Sequence, residues 1–417
     1  MRRSNAITDF IVRNRAVFVM GLAALIIAGT ADLFAGLLLD SMEAYLLLIP
    51  GMMVLIYCAI GMRGNIYGAM GSRISTAMHM GTFQMSFRRG TVLRANIDST
   101  ICLTLTLSVA MGAVTWAVAT YMFNGTYSIW DFVFISSLGG LLSGLIVMMF
   151  NVLIAKEGYK RDWDVDNITA PLIAAIGDIV TMPLIFFSTW IFLCVLKVSS
   201  GESIITILAL AFVVATVLYC VWIARAEVSK RDFSGEAKRI IKASLPVLLF
   251  CLIFEIGAGI IIQHEEERLL EFSVLLIMLP AFLNEGNALS GMLTSRLSSM
   301  IHLGTMRTKA APPREAFENF AIMYICATLT FVYIGAIAYF ATFLFSGGSA
   351  IGLGTSLLII TIAGILVTTL LNFLSYYVAL LATRFGLDPD DHCIPITSSI
   401  MDMAGALVLT AVVMLFI

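Results

Sequence analysis

Two aspartates lie deep in apolar segments at matched positions, where their carboxylates could bind a cation inside a membrane. Asp178 lies in PLIAAIGDIVTMP and Asp402 in PITSSIMDMAGA. Each acid follows a proline, Pro171 or Pro395, by seven residues, which places it about 10 Å further along a helix. A charge at the bilayer centre costs about 2.5–3.5 kcal/mol and needs a partner, a cation or water. These aspartates are therefore either ion-binding acids or hydrogen-bonded structural acids.

The two aspartates belong to a repeat that covers most of the chain. The segment at 72–82 reads SRISTAMHMGT, and the segment at 295–305 reads SRLSSMIHLGT. Shared spacing over such a length predicts two copies of one unit. Two intramembrane acids related by a repeat indicate a single cation path on a pseudo-two-fold axis.

The first membrane segment of each copy carries a further acid, Asp32 in TADLFAGLLL and Glu255 in FEIGAGIII. Both segments contain the pattern acid-x-x-Ala-Gly, and small residues of this kind allow membrane helices to pack closely. The two acids either add negative potential along the ion path or hydrogen-bond a neighbouring helix.

A Gly-Asn pair is expected to interrupt the second membrane helix of each copy. The pairs are Gly64-Asn65 and Gly286-Asn287, and Glu285 adds polarity in the second copy. Exposed backbone carbonyls, amides and carboxylates are oxygen ligands that suit hard cations such as Mg²⁺. The alternative is a glycine that packs against a helix, next to a capping asparagine.

Acidic residues also precede the last helix of each copy. They could concentrate cations at a cytoplasmic pore mouth, or they could complement the dipole at a helix N-terminus. The candidates are Asp164, Asp166, Asp388, Asp390 and Asp391.

The composition is that of a polytopic membrane protein. Hydrophobic residues make up 60% of the chain, charged residues 12%, and the mean hydropathy is +0.97. A soluble protein has about twice this charged fraction. The net charge of −2 says nothing about partners, and no basic patch indicates nucleic acid, so no nucleic-acid partner is expected. The expected partners are the lipid bilayer and a cation.

Apolar runs of about 20 residues predict about eleven membrane helices. A directly copied five-helix unit reverses its direction in the membrane, because five is odd, and one extra helix restores it. The expected fold is therefore an all-α polytopic protein with two parallel five-helix repeats joined by a linking helix. We assign 1–196 to the first repeat, 197–242 to the linking helix and a cytoplasmic linker, and 243–417 to the second repeat. The expected spans are 16–39, 44–66, 99–122, 131–154, 169–196, 203–224, 241–262, 270–293, 318–345, 352–382 and 394–416.

The basic residues predict the orientation of these helices in a cell membrane. With the N-terminus in the cytoplasm, all but Lys197 and Arg268 of the 25 lysines and arginines fall on the cytoplasmic side, Arg63 among them. Such a bias follows the positive-inside rule. The C-terminus, at Ile417, is therefore expected outside.

At the Gly-Asn pairs and at the proline–aspartate spacing of seven, the sequence resembles the MgtE-type magnesium channels and their two-repeat eukaryotic relatives among the solute carriers. The resemblance covers most of 16–196 and 241–417. It implies a five-helix unit that works as a pair, with a pore lined by second and fifth helices and an aspartate that binds hydrated Mg²⁺. Here the pair would be fused in one chain, so a monomer could be the functional unit. The sequence contains no counterpart to the cytoplasmic N-terminal and CBS domains of bacterial MgtE, so gating through such domains is not expected.

The sequence thus predicts transport of a divalent cation, with Mg²⁺ as the first candidate. The alternatives are another divalent metal such as Co²⁺ or Mn²⁺, and exchange against Na⁺ or H⁺. A remote alternative from another class is an intramembrane aspartyl enzyme. That chemistry needs two acids that share a proton, and the usual flanks, Tyr-Asp and Gly-x-Gly-Asp, are absent around Asp178 and Asp402. We therefore expect a transporter and not an enzyme.

The orientation can be tested with a reporter that is active only in the cytoplasm. Fused after Ile417, such a reporter should be silent, because the basic residues place this end outside. The same reporter fused before Met1 should be active. A strong signal from the C-terminal fusion would mean that one predicted helix is wrong, and the segment 203–224 would be examined first.

Overall fold

A computed structural model of the protein describes residues 15–161, 165–225, 235–302, 304–306, 309–345, 351–385 and 394–417. Within these residues the secondary structure is helical throughout. The first part of the chain forms α1 (Arg15–Asp40), α2 (Glu43–Leu48), α3 (Met52–His79), α4 (Val92–Met122), α5 (Ile129–Arg161), α6 (Val165–Leu196) and α7 (Gly201–Ala224). The second part forms α8 (Glu236–His264), α9 (Glu266–Glu271), α10 (Ser273–His302), α11 (Arg314–Phe345), α12 (Leu353–Phe385) and α13 (Ile394–Phe416).

The long helices confirm an all-α polytopic membrane protein. Ten of them, among the described residues, are long and apolar enough to cross a bilayer. The remaining long helix is α3, which carries Arg63 and Arg73. In the most apolar 18-residue segment of its counterpart α10, 78% of the residues are buried. The corresponding share in helix α7 is 17%. The most polar long helices therefore lie inside the bundle, and the uniformly apolar helix faces outward, as a lipid environment requires.

The second helix of each repeat differs from the sequence prediction. The helix expected at 44–66 is divided into α2 and α3, and the chain turns at Gly51, whose φ of +88° favours glycine. Gly64-Asn65 lies inside α3, and Gly286-Asn287 lies inside α10. The predicted interruption at these pairs is wrong. An internal glycine costs only about 1 kcal/mol relative to alanine, which a buried helix tolerates.

Arg63 does not lie where the bias of basic residues predicts. It is expected on the cytoplasmic side, but it lies within α3 and is 3% exposed. Its guanidinium donates a hydrogen bond to the hydroxyl of Ser143 on α5. Arg63 therefore cannot contribute to the positive-inside bias, which depends on the other basic residues.

The two repeats are connected by their first helices, each of which packs on the second helix of the other repeat. α1 packs against α10, and α8 packs against α3. The glycine of each acid-x-x-Ala-Gly pattern lies at these contacts. A Cβ on Gly36 would lie 2.0 Å from the backbone oxygen of Ile277, and a Cβ on Gly259 would lie 2.7 Å from the Cα of Val54. The small residues thus bring helix backbones together across the repeats.

Alanine substitutions at these glycines test the cross-repeat contact. Gly36→Ala and Gly259→Ala should each lower the thermal unfolding temperature in detergent by several degrees, because overpacking a well-packed site costs about 1–3 kcal/mol. Gly68→Ala is the matched control, since a Cβ there would meet no atom within 4 Å. It should be neutral or stabilising, because alanine favours helix. Equal unfolding temperatures for all three variants would contradict the proposed packing role.

Candidate cation site

Four acids from four helices meet in the interior as two pairs. The carboxyl group of Asp32 on α1 lies beside that of Asp178 on α6. The carboxyl group of Glu255 on α8 lies beside that of Asp402 on α13. None of the four is more than 7% exposed. Two neighbouring carboxyl groups repel each other when both are ionised, and a shared proton or a cation relieves this repulsion.

The two pairs belong to one buried cluster. Asp402 lies close enough to Asp178 to interact with it electrostatically. The predicted ion-binding acids are therefore neighbours, and each has the first-helix acid of its own repeat as an additional partner. The four acids together form what we call the acid cluster: Asp32, Asp178, Glu255 and Asp402.

Asparagines of α10 hold one acid of each pair. Asn284 Nδ2 donates to Asp32 Oδ2 at 2.7 Å, and Asn287 Nδ2 donates to Asp402 Oδ1 at 2.8 Å. The bond from Asn284 crosses between the repeats. A first-helix acid thus hydrogen-bonds a neighbouring helix, which is one of the two roles predicted for it.

Asn65 of α3 occupies the corresponding place in the other half but makes different contacts. Its Nδ2 donates to Ser399 Oγ at 2.8 Å and lies 3.4 Å from Glu255 Oε1. Ser399 Oγ in turn donates to Glu255 Oε1 at 2.7 Å. Asn65 therefore reaches Glu255 directly and through the serine, which joins the second helix of one repeat to the first and fifth helices of the other.

Several oxygens of this site remain available to a ligand. Among the buried oxygens that have no hydrogen-bond partner in the described part of the chain, three belong to these acids and to Asn287: Asp32 Oδ1, Asn287 Oδ1 and Asp402 Oδ2. Buried oxygens without donors suit a cation or a water molecule. Together with the acid cluster they are oxygen atoms of the kind that the sequence predicts as cation ligands.

Gly61 and Ser399 are site residues that the sequence analysis missed. A Cβ on Gly61 would lie 2.0 Å from Glu255 Oε2, so the glycine leaves the space that the longer acid occupies. Leu283 stands at the equivalent position of the second copy. Ala175 stands where the second copy has Ser399. Gly61 and Ser399 each differ from the residue at the equivalent position of the other copy. A comparison of the two copies therefore does not identify them as site residues.

The other predicted site residues lie at the edge of the cluster or outside the described residues. A Cβ on Gly64 would meet no atom within 4 Å, whereas Gly286 is buried with Val367 Cγ1 3.4 Å from such a Cβ. Glu285 is 1% exposed and lies near Thr330 of α11. It is also near enough to Asp32 for the two carboxyl groups to interact electrostatically. Among the candidates for a cytoplasmic mouth, Asp166 lies in α6, but its side chain is outside the described part. Also outside it are Asp164, Asp388, Asp390 and Asp391.

Within the described residues, no three His, Cys, Asp or Glu side chains converge as a compact metal site. An ion that keeps its water shell does not need such a site, because its waters bridge to ligands further away.

Comparison with known proteins identifies the family. The family model described as MgtE, divalent cation transporter, matches residues 56–189 and 279–412, which are the two repeats. Solute carrier family 41 member 3 of Mus musculus is 22% identical over 406 residues, which cover 91% of this chain and 78% of the relative. The same member of Rattus norvegicus is 21% identical over 409 residues, covering 91% of this chain and 83% of the relative.

A second member of that solute carrier family extends the comparison. Solute carrier family 41 member 2 of Xenopus laevis is 23% identical over 421 residues, which cover 93% of this chain and 70% of the relative. No solved structure matches the chain. The two matched repeats cover more than half of the chain, and the helices and buried acids fit them: the chain belongs to the MgtE family of divalent cation transporters.

Proposed function

We propose that the protein transports Mg²⁺ across the cell membrane along a path at the interface of the two repeats, with Asp178 and Asp402 as the ion-binding acids. The observation that carries this proposal is the acid cluster. It collects four buried carboxyls from both repeats, in a chain that belongs to a family of divalent cation transporters.

The arrangement suits a hydrated divalent ion. Mg²⁺ loses water reluctantly and keeps several waters when it is bound through one or two carboxylates. Carboxylates and amides of several helices can accept hydrogen bonds from those waters, so most of the dehydration cost is avoided. Asn65, Asn287 and Asn284 orient the acids, while Asp32 and Glu255 add negative charge beside the ion.

The membrane potential can drive this transport. An inside-negative potential of 100 mV provides about 2.3 kcal/mol per charge, or about 4.6 kcal/mol for a divalent ion. Passive uptake is therefore sufficient, and the same acids could also serve an exchanger that returns Na⁺ or H⁺. We further propose that one chain is a complete transport unit, because its two repeats supply both halves of the site.

The first test neutralises the ion-binding acids in purified protein reconstituted into liposomes that contain a Mg²⁺-sensitive dye. Asp178→Asn and Asp402→Asn should each lower Mg²⁺ flux about tenfold or more, because one charge contact at 4 Å is worth about 4 kcal/mol at an effective dielectric constant of about 20. Their effects should not add, since both acids act on one ion. Glu271→Gln, at an exposed acid at the end of α9, is the control and should leave flux unchanged.

The outcomes of this test separate the alternatives. Full Mg²⁺ flux in the folded double variant would refute the ion site. Flux of Co²⁺ or Mn²⁺ without flux of Mg²⁺ would identify another divalent cargo, and dependence on an imposed Na⁺ or H⁺ gradient would identify an exchanger. An aspartyl enzyme would instead be supported if the protein cleaved a reporter helix and lost this activity when either aspartate was replaced. The family match does not favour that outcome.

A second test concerns the space that Gly61 leaves for Glu255. Gly61→Ala should displace the Glu255 carboxyl and lower Mg²⁺ flux, because the new Cβ would overlap it. Adding Glu255→Asp, which shortens the acid by one methylene, should restore part of the flux. The flux of the double variant is compared with that of Glu255→Asp in a chain that keeps Gly61. If the double variant transported no better than Gly61→Ala, the steric link between these two residues would be rejected.

A further inference from the structure

Two cysteines on different helices contact each other away from the acid cluster. The Sγ atoms of Cys102 on α4 and Cys220 on α7 lie 3.1 Å apart, and both residues are free thiols. The sulfurs of a disulfide are bonded at about 2.05 Å, so these two are only about 1 Å further apart than bonded sulfurs. Small rotations of the two side chains are enough to bring them together.

Polar contacts one helical turn away fix α7 against α4. Tyr219, the residue before Cys220, donates from its hydroxyl to Asp98 Oδ1 at 3.2 Å. Asp98 lies one turn before Cys102, and its Oδ2 accepts a hydrogen bond from Arg94 Nε at 2.9 Å. The two thiols are therefore held face to face by contacts that do not involve sulfur.

The two thiols differ in how easily a small molecule reaches them. Cys102 is 2% exposed, whereas Cys220 is half-buried and lies four residues before the end of α7, which corresponds to about 6 Å along the helix. Thr106 Oγ1 lies 3.5 Å from Cys220 Sγ, so the more exposed sulfur has a polar neighbour on α4 besides the other thiol. A small uncharged oxidant therefore meets Cys220 first.

The cysteine pair is not part of the duplicated site. In the register that relates Asn96 to Asn319, Ile325 stands at the position of Cys102. The helix that carries Cys220, α7, lies in the chain between the two regions that match the family model and outside both. The pair is therefore a feature of this chain that the repeat does not explain.

We propose that Cys102 and Cys220 form a redox-sensitive thiol pair, which hydrogen peroxide converts into a disulfide between α4 and α7. The sulfur of Cys220 attacks one peroxide oxygen, the O–O bond breaks, and the thiol proton joins the departing oxygen as water, which leaves a sulfenic acid. The sulfur of Cys102 then attacks that of Cys220. The S–S bond forms, the S–O bond breaks, and the second thiol proton leaves with the oxygen as water. The two thiols lose two electrons, which the peroxide gains.

The disulfide fastens α7 to α4 across a long stretch of chain. The two cysteines are 118 residues apart in sequence, and a cross-link that closes a long loop stabilises the folded state by restricting the unfolded chain. The oxidised protein should therefore unfold at a higher temperature than the reduced one. This inference is independent of the proposed ion site, because neither cysteine belongs to the acid cluster or contacts it.

The experiment treats the purified full chain in detergent with hydrogen peroxide, then denatures it, alkylates the remaining thiols and maps its peptides by mass spectrometry without reduction. We expect the peptides of Cys102 and Cys220 to be joined, and dithiothreitol to separate them. The unfolding temperature should be several degrees higher after peroxide than after dithiothreitol. Cys194→Ser, at a half-buried cysteine of α6, is the matched control and should keep both results.

Replacing either partner should remove both effects. Cys102→Ser and Cys220→Ser should yield no joined peptide and no rise in unfolding temperature. The proposal would be overturned if both thiols of the unchanged protein remained open to alkylation after peroxide, or if each was oxidised to sulfinic acid without a joined peptide. Both outcomes are read on the unchanged protein, so they hold even where a serine variant does not fold. An equal rise in unfolding temperature in the two serine variants would also overturn it.

Discussion

Four buried carboxyl groups lie near one another in helices that the bilayer surrounds, and their mutual repulsion constrains those helices. Leaving such charges in a low-dielectric interior is costly unless a proton, a cation or hydrogen-bond donors compensate. The donors come from asparagines on the second helices, which are the most polar long helices and lie among the most buried. The polar second helices must therefore be interior, and the more apolar helices must shield them from lipid.

This constraint also accounts for the way in which the repeats are connected. An acid on the first helix of one repeat bonds an asparagine on the second helix of the other, so those helices must approach closely. Gly36 and Gly259 allow the approach, because any side chain at either position would overlap a backbone. The acid-x-x-Ala-Gly pattern thus has two functions within five residues. Its acid needs a hydrogen-bond partner, and its glycine allows close approach of the helix that carries this partner.

The sequence predicted the parts of the site that the repeat duplicates. Asp178 and Asp402 were found because a proline precedes each at the same spacing, and Asp32 and Glu255 because they share a pattern. The all-α membrane fold followed from long apolar runs. Residues that break the repeat could not be found in this way: Gly61 and Ser399 each serve Glu255, and neither has a like residue at the equivalent position. The interruption at Gly-Asn was predicted wrongly because burial and helical hydrogen bonding outweigh the weak intrinsic cost of one glycine.

The differences between the two halves follow from their presence in one chain. In a symmetric pair of identical subunits, a substitution changes both sides of the axis, so a charge introduced on one side appears on the other as well. Two copies in one chain can differ. Arg63 and Glu285, which precede the two Gly-Asn pairs, carry opposite charges, and each is buried in its own repeat against hydroxyl groups of neighbouring helices. Two buried arginines, or two buried glutamates, would add like charges to an interior that already holds four acids. A basic and an acidic residue at these positions make the two sides of the site different without adding two residues of the same charge type.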